Sequence, residues 1–505
     1  MGELTEPRRI TRRAVIGRWA GPVAALATYF LLPTGDGGLT PGGRATTAVA
    51  VLMAVWWVTE ALPLAVTALV PVVLMPLTGA LDLDATLAPY ANDLIFLFLG
   101  GFVIAIAMQR WGLHRRIALL TVRAVGTKSR QMIAGFMLAT AFLSMWVSNT
   151  ATAVMMLPIG VSVLGLVAKR VSSIPGDGEG EPLTGEGAPN IATALMLGIA
   201  YAASIGSLST IIGTPPNAFL IGYLRQEQGV SIGFGQWMLF ALPLSAVFLV
   251  ITWIVLTRFL YPPEIDDVPG GRELIQSELD ELGPISPGEK RVAVVFAATA
   301  LAWILNSLLG DVWADTFLAN LDDAMIGIAA AIILFLIPVD REHGTFVLDW
   351  TAARELPWGV LLLFGGGLSL AAAVSENGVD EFVGQQLQAL SNVPVWVLIA
   401  AVVASVILLT EMTSNTATAA ALVPIIGGSA AVLGLDPVAL AVPAALAATC
   451  AFALPVATPP NAIVFGSGHV TVAQMARAGV VLNVIGVLLI TIVTLTLAGP
   501  VFGTG

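Results

Sequence analysis

Ser148-Asn149-Thr150-Ala151-Thr152-Ala153 lies inside the apolar stretch 131–168 and returns letter for letter as Ser414-Asn415-Thr416-Ala417-Thr418-Ala419 inside a second one, 394–433. The copies are 266 residues apart. The same offset carries Phe98 onto Phe364, Gly100-Gly101 onto Gly366-Gly367, Gly112 onto Gly378 and Pro158-Ile159 onto Pro424-Ile425. A second motif, Thr214-Pro215-Pro216-Asn217-Ala218, returns as Thr458-Pro459-Pro460-Asn461-Ala462 at an offset of 244. The difference of 22 residues matches the polar insertion from Lys169 to Asn190. Self-similarity on this scale marks a duplicated unit.

The solvent of that unit follows from composition. Of 505 residues, 57% are hydrophobic and 11% charged, whereas a water-soluble chain carries about a quarter charged residues. A membrane-crossing helix needs roughly 20 apolar residues. Apolar segments fall near 19–33, 45–59, 61–80, 93–110, 131–168, 191–224, 236–261, 291–310, 323–339, 357–375, 394–433, 437–467 and 472–500. Four exceed one span. The 131–168 and 394–433 segments carry a polar tip near the middle, the pattern of a re-entrant hairpin. The 191–224 and 437–467 segments break at Thr-Pro-Pro-Asn, the pattern of a discontinuous helix. Irregular backbone at membrane depth survives only where protein or water covers it. The expected fold is an all-α polytopic membrane protein with about eleven transmembrane helices, two of them broken, and two hairpins.

Charge placement orients the repeats. With the N-terminus in the cytoplasm, 20 of the 22 Lys and Arg residues fall inside and only Arg44 and Arg225 outside. The eleven crossings then put the C-terminus outside. The first hairpin opens to the cytoplasm and the second to the exterior, so the copies are inverted. Inverted repeats with broken helices place a binding site near the midplane, at the repeat interface. The net charge of −11 is concentrated in two loops, 176–187 and 264–289, read as solvated. The stretch 111–130 reads as a basic interfacial helix.

Hydroxyls and amides at lipid depth cost several kcal/mol unless they find partners. The first hairpin holds Ser144, Ser148, Asn149, Thr150 and Thr152; the second holds Thr410, Thr413, Ser414, Asn415, Thr416 and Thr418. Isolated Ser or Thr commonly serves as packing glue between helices. Whole clusters repeated beside proline-broken helices point to a site. Oxygen-rich tips suit a hard cation such as sodium, and helix N-termini at the breaks offer N–H groups to an anion. No Lys or Arg lies between Arg130 and Lys169 or between Arg354 and Arg477. An anion bound in this core is therefore expected to lack a fixed cationic partner, a gap that co-bound sodium fills. Glu411, one turn before Asn415, reads as a buried acid satisfied by structural partners. Gly100-Gly101 and Gly365-Gly366-Gly367 read as sites of close helix packing. The single cysteine, Cys450, and three scattered histidines, His114, His343 and His469, offer no disulfide, no transition-metal set and no nucleophile–base pair, so an enzyme is not expected.

The chain resembles the divalent anion:sodium symporters, which carry di- and tricarboxylates or sulfate. The resemblance rests on Trp56-Trp57-Val58-Thr59-Glu60-Ala61-Leu62-Pro63, both Ser-Asn-Thr motifs, Gly213 to Asn217 and Ala457 to Asn461, and it covers nearly the whole chain. It implies a first sodium site at Ser144, Ser148, Asn149 and Gly213, and a second at Thr410, Thr413, Asn415 and Ala457. It implies substrate contacts from Asn149, Thr150, Thr214, Ser414, Asn415, Thr416 and Thr458. It also implies a homodimer in the cytoplasmic (inner) membrane, moving a transport domain like an elevator against a scaffold.

The expected divisions are 1–128 (tail and scaffold of the first repeat), 129–262 (its transport part), 263–289 (acidic cytoplasmic loop), 290–392 (scaffold of the second repeat) and 393–505 (its transport part). The expected activity is uptake of a C4-dicarboxylate with two or more sodium ions and no organic cofactor. Sodium-independent exchange and sulfate transport stay open within the same family. A channel fits paired inverted tips less well than alternating access does.

Overall fold

The computed structural model describes residues 11–34, 38–126, 128–171, 189–268, 270–313, 316, 318, 320–388 and 392–503. The acidic loop 176–187 lies outside them. Among the described residues twenty-two α-helices follow one another: α1 (Arg12–Leu31), α2 (Pro41–Thr59), α3 (Leu64–Thr67), α4 (Val70–Thr78), α5 (Leu83–Leu87), α6 (Asp93–Arg110), α7 (Leu113–Val125), α8 (Ser129–Ser144), α9 (Asn149–Val171), α10 (Asn190–Ser207) and α11 (Pro215–Glu227). The chain continues through α12 (Phe234–Ile254), α13 (Gly271–Glu281), α14 (Pro287–Trp313), α15 (Asp323–Leu336), α16 (Trp358–Glu376), α17 (Val379–Leu387), α18 (Val395–Thr410), α19 (Asn415–Ser429), α20 (Pro437–Thr449), α21 (Pro459–Gly466) and α22 (Val472–Phe502). Among the described residues nine helical segments are long and apolar enough to cross a membrane, and shorter apolar helices supply the remaining pieces. The expected polytopic helical architecture is thus present, with one addition. Pro338–Asp340 and Thr345–Phe346 form a two-stranded ribbon between α15 and α16.

Both expected hairpins and both broken helices form. α8 and α9 turn at residues 145–148, and α18 and α19 turn at 411–414. α10 gives way to α11 across 208–214, and α20 to α21 across 450–458. At each break Pro occupies the first helical turn of the new helix, where its missing N–H was an orphan anyway.

The two copies run in opposite directions. α6 begins at Asp93, paired with Arg225, and ends at Arg110, whose Nη2 lies 2.7 Å from Asp349 Oδ2. That hydrogen bond holds the Asp349 carboxyl below its ordinary range. α16, the counterpart of α6, begins just after Asp349. It ends at the opposite side, where Asn377 donates to the Ala80 carbonyl (2.8 Å) and Ser375 bonds Glu227, close to Arg225. Arg110 and Arg225 thus sit at opposite ends of α6.

Helices cross closely where the repeat placed its glycines. A Cβ on Gly100 would lie 2.5 Å from the Gly327 carbonyl carbon, and one on Gly366 would lie 2.1 Å from the Ala68 carbonyl oxygen. The repeats are therefore interlocked: α6 of the first packs on α15 of the second, and α16 of the second on α3 of the first. Gly366→Ala is expected to destabilise the protein by about 1–3 kcal/mol, the usual cost of overpacking against an unyielding neighbour, read as a lower thermal midpoint of the purified protein.

Two sequence expectations need correction. The acidic stretch 264–289 is not simply solvated, because it contains α13, which packs on α7. Arg115 pairs with Glu278 (2.5 Å), Arg116 with Glu289 (2.7 Å), and Arg123 donates to Gln276 (3.2 Å). The basic face of α7 is accordingly occupied largely by protein rather than left for lipid headgroups. The apolar face of α7, with Leu113, Ala118, Leu119 and Val122, is buried. Sequence periodicity revealed an amphipathic helix but not which partner would neutralise it. Glu60 caps α2 with a positive φ of 49°.

Candidate functional site at the hairpin tips

Each hairpin tip is built by a residue pair five apart. In the first, Ser144 Oγ lies 2.5 Å from Asn149 Oδ1 and 2.7 Å from the Ala203 carbonyl oxygen of α10. In the second, Thr410 Oγ1 lies 2.8 Å from Asn415 Oδ1 and 2.8 Å from the Ala448 carbonyl oxygen of α20. A hydroxyl has one proton to donate, yet each of these faces two oxygen acceptors. Three oxygens share a single proton at each tip. Ser144 and Thr410 are fully buried. Such a donor-poor oxygen cluster fits a hard monovalent cation.

The surroundings extend both clusters. Asn149 Nδ2 donates to Ser207 Oγ (3.2 Å), and Ser207 donates to the Ser204 carbonyl (2.8 Å). Gly213 is packed against Ser207, since a Cβ there would meet the Ser207 carbonyl oxygen at 2.3 Å. Ser144, Asn149, Ser207 and Gly213 thus form one neighbourhood. Ser148 is different: it is exposed, and its hydroxyl caps α9 by accepting from the Ala151 N–H at 3.3 Å. In the second tip Thr413 bonds the Leu409 carbonyl (2.9 Å) and the Thr418 hydroxyl (2.6 Å). Ala457 closes a turn onto the Leu454 carbonyl at 3.2 Å.

The broken helices are held open by the asparagines of the paired Thr-Pro-Pro-Asn motifs. Asn217 Nδ2 donates to the carbonyls of Thr210 (2.9 Å), Leu208 (3.2 Å) and Ser207 (3.4 Å). Asn461 Nδ2 donates to those of Leu454 (3.0 Å) and Ala451 (3.2 Å). Both amides are fully buried, and the Oδ1 of each has no donor among the described residues. The two breaks meet: Thr214 Oγ1 lies 3.4 Å from Thr449 Oγ1. Thr458 is buried and accepts from the Asn461 N–H at 3.3 Å. Thr150 is exposed, whereas Ser414, Asn415 and Thr416 are half-buried. α9, α11, α19 and α21 all begin here, and α9 packs on α21 while α11 packs on α19. Four positive helix ends from two repeats therefore surround the breaks.

Reading the sequence missed several members. Ser207, Thr449 and the carbonyls of Ala203 and Ala448 carried no local signal, because their role depends on which helix lies beside the tip. Asn217 and Asn461 were flagged by repetition, although repetition alone did not give them a task. One cation reaches the second tip from far away in sequence. Arg13, at the start of α1, donates to the Val58 carbonyl (2.5 Å) and to the Met412 carbonyl (3.1 Å), two residues before Ser414. Counting cations along the hairpins could not find it, since it lies 399 residues away in sequence. Among the described residues no group of three or more His, Cys, Asp or Glu could hold a metal ion.

Comparison with known proteins gives the family. Residues 15–503 match the family described as the sodium:sulfate symporter transmembrane region. The sodium-dependent dicarboxylate transporter SdcS of Staphylococcus saprophyticus is 40% identical over 490 residues, covering 97% of this chain and 92% of that protein. SdcS of Staphylococcus aureus strain USA300 is 41% identical over 481 residues, covering 95% and 90%. The crystal structure of the Alcanivorax borkumensis YdaH transporter shares the fold, with a TM-score of 0.57 at 12% identity over 97% of this chain and 98% of that one. Duplicated hairpins, broken helices and a match across almost its whole length establish that this chain belongs to the divalent anion:sodium symporter family.

Proposed function

We propose that this protein is a secondary active transporter that takes up small C4-dicarboxylates together with sodium. The observation that carries the reading is the twin donor-poor cluster, Ser144–Asn149–Ala203 and Thr410–Asn415–Ala448, each with three oxygens around one proton. Sodium supplies the missing positive charge when bound, and this chain supplies the oxygens. The first site uses Ser144, Asn149 and Gly213 with Ser148 at its rim; the second uses Thr410, Thr413, Asn415 and Ala457. The dicarboxylate takes hydrogen bonds from Asn149, Thr150, Thr214, Ser414, Asn415, Thr416 and Thr458, and the helix N-termini add favourable dipoles. The printed name of the staphylococcal relatives, a sodium-dependent dicarboxylate transporter, supports the choice of substrate and ion.

In this reading no covalent chemistry occurs, no organic cofactor takes part and the protein is not an enzyme. Segments 129–262 and 393–505 move as the transport domain. Segments 1–128 and 290–392 form the scaffold of a homodimer in the inner membrane, with the N-terminus inside and the C-terminus outside. More than two sodium ions per dianion would carry net positive charge inward, and the membrane potential would then add about 2.3 kcal/mol per charge per 100 mV.

The test is uptake of labelled succinate into proteoliposomes under an inward sodium gradient, with malate, fumarate, citrate and sulfate as competitors. Sodium-dependent accumulation inhibited by C4-dicarboxylates is expected. Uptake that persists unchanged in choline and requires internal dicarboxylate would replace symport with exchange. Competition by sulfate alone would replace the substrate.

A further inference from the structure

Glu411 breaks the symmetry between the two sites. It ends α18 at the tip of the second hairpin and is buried, with 5% exposure. Its Oε1 accepts from the N–H groups of Phe452 and Ala453, each at 2.8 Å, and from Asn483 Nδ2 of α22 at 2.7 Å. Its Oε2 accepts from the Leu454 N–H at 3.0 Å. Both oxygens act as acceptors, as an ionised carboxylate does. Among the described residues no Lys or Arg lies within salt-bridge distance of it; Arg13 reaches the neighbouring Met412 carbonyl instead. Three successive backbone amides of the second break are thus gathered by one buried negative charge.

The first repeat does the same job without charge. The position equivalent to Glu411 is Met145, whose carbonyl accepts from the Thr210 hydroxyl at 2.5 Å. The N–H groups of Leu208, Ser209 and Gly213 turn back onto the carbonyls of Ile205, Gly206 and Thr210 in local turns. Hence the first break is held by local turns and by neutral partners, Met145 and Trp237, while the second is pinned by a carboxylate. The peptide groups of 452–454 are held on the amide side by Glu411 and on the carbonyl side by Asn461, which takes Ala451 and Leu454. Ala457, a member of the second oxygen cluster's break, rests on that same Leu454 carbonyl.

We infer that Glu411 is a positioning residue for the second sodium site, fixing the unwound segment 451–457 and lending it a negative charge that makes this site the tighter of the two for a monovalent cation. The inference rests on the proposed sodium-coupled reading and deepens it. A carboxylate four residues before Asn415, across the hairpin turn, favours a cation through a low-dielectric path, where the Coulomb term is several times its value in water. The dianion is helped only indirectly, once the cation is in place. Glu411 itself touches neither.

The experiment is the sodium dependence of succinate uptake in proteoliposomes for the wild type, Glu411→Gln and Glu411→Asp, with succinate half-saturation measured at saturating sodium. Glu411→Gln removes the charge and replaces one acceptor by a donor. It is expected to raise the sodium concentration for half-maximal uptake about tenfold or more and to leave succinate half-saturation within about twofold once sodium saturates, because the charge acts on the cation alone. Glu411→Asp keeps the charge but shortens the reach, and a smaller rise of about threefold is expected. A lowered maximal rate at unchanged sodium half-saturation would make the residue a structural clamp and overturn the inference. If the Gln variant does not accumulate as folded protein, the Asp variant decides in the same terms, an unchanged constant overturning the inference. Wild-type uptake without sodium dependence would instead defeat the proposed function, so the two failures are distinguishable.

Discussion

Asn149→Ala and Asn415→Ala are each expected to reduce sodium-driven uptake at least about 100-fold, near 2.7 kcal/mol of lost transport free energy, while leaving the protein folded. The separation follows from the hydrogen bonds that remain. In Asn149→Ala the Ser144 hydroxyl keeps the Ala203 carbonyl, and the Ser207 hydroxyl keeps the Ser204 carbonyl. In Asn415→Ala the Thr410 hydroxyl keeps the Ala448 carbonyl. Neither substitution strands a buried donor, so the roughly 1–3 kcal/mol penalty for an unsatisfied polar group is avoided. What disappears is the oxygen that turned each tip from an ordinary helix cap into a donor-poor cluster. Size-exclusion profiles and thermal midpoints near wild type, with uptake lost, would bear this out. Normal uptake in both variants would remove the assignment of the two sites. Ser148→Ala supplies a contrast: its hydroxyl caps α9 at the exposed rim, and only a mild loss of stability, about 1 kcal/mol, is expected there.

The legibility of this protein depended on what repetition can encode. The twin Ser-Asn-Thr and Thr-Pro-Pro-Asn motifs located the hairpins and breaks because polar atoms and prolines at membrane depth are costly enough to stand out against an apolar background. Charge placement then led to the opposite directions that α6 and α16 now show. Partners from distant sequence were not legible. Ser207 and Ala203 matter because α10 packs on α8, Asn483 because α22 passes Glu411, and Arg13 because its side chain reaches from α1 to the Met412 carbonyl. A local pattern specifies which side chains need partners; only the packing names them. The pairing of α7 with α13 is the same case, since an amphipathic basic helix fits lipid headgroups and an acidic helix equally well.

The unwound segment of the second repeat gives the other large effect. Gly479 of α22 passes so close to it that a Cβ would lie 2.3 Å from Ala453 Cα and from the carbonyl carbon and oxygen of Phe452. These are backbone atoms, and they cannot retreat easily. Their amides are held by Glu411, their neighbours' carbonyls by Asn461, and the Phe452 ring is wedged between Tyr201 and Phe248 at centroid distances of 5.3 and 5.6 Å. Gly479→Ala must therefore move α22 or break those bonds. A loss of about 3 kcal/mol or more is expected, at or above the usual upper end for overpacking, together with loss of sodium-driven uptake. Gly486, on the same helix, is the internal control. A Cβ there would meet Phe248 Cζ at 3.5 Å and Ile407 Cδ1 at 3.7 Å, ordinary contacts. Gly486→Ala gains up to about 1 kcal/mol of helix propensity and is expected to keep both stability and transport. Thermal midpoints and uptake of the two variants side by side decide the matter. If Gly479→Ala behaved like Gly486→Ala, the segment at 452–453 would have to yield freely, and the rigidity ascribed to its clamp by Glu411 and Asn461 would be wrong.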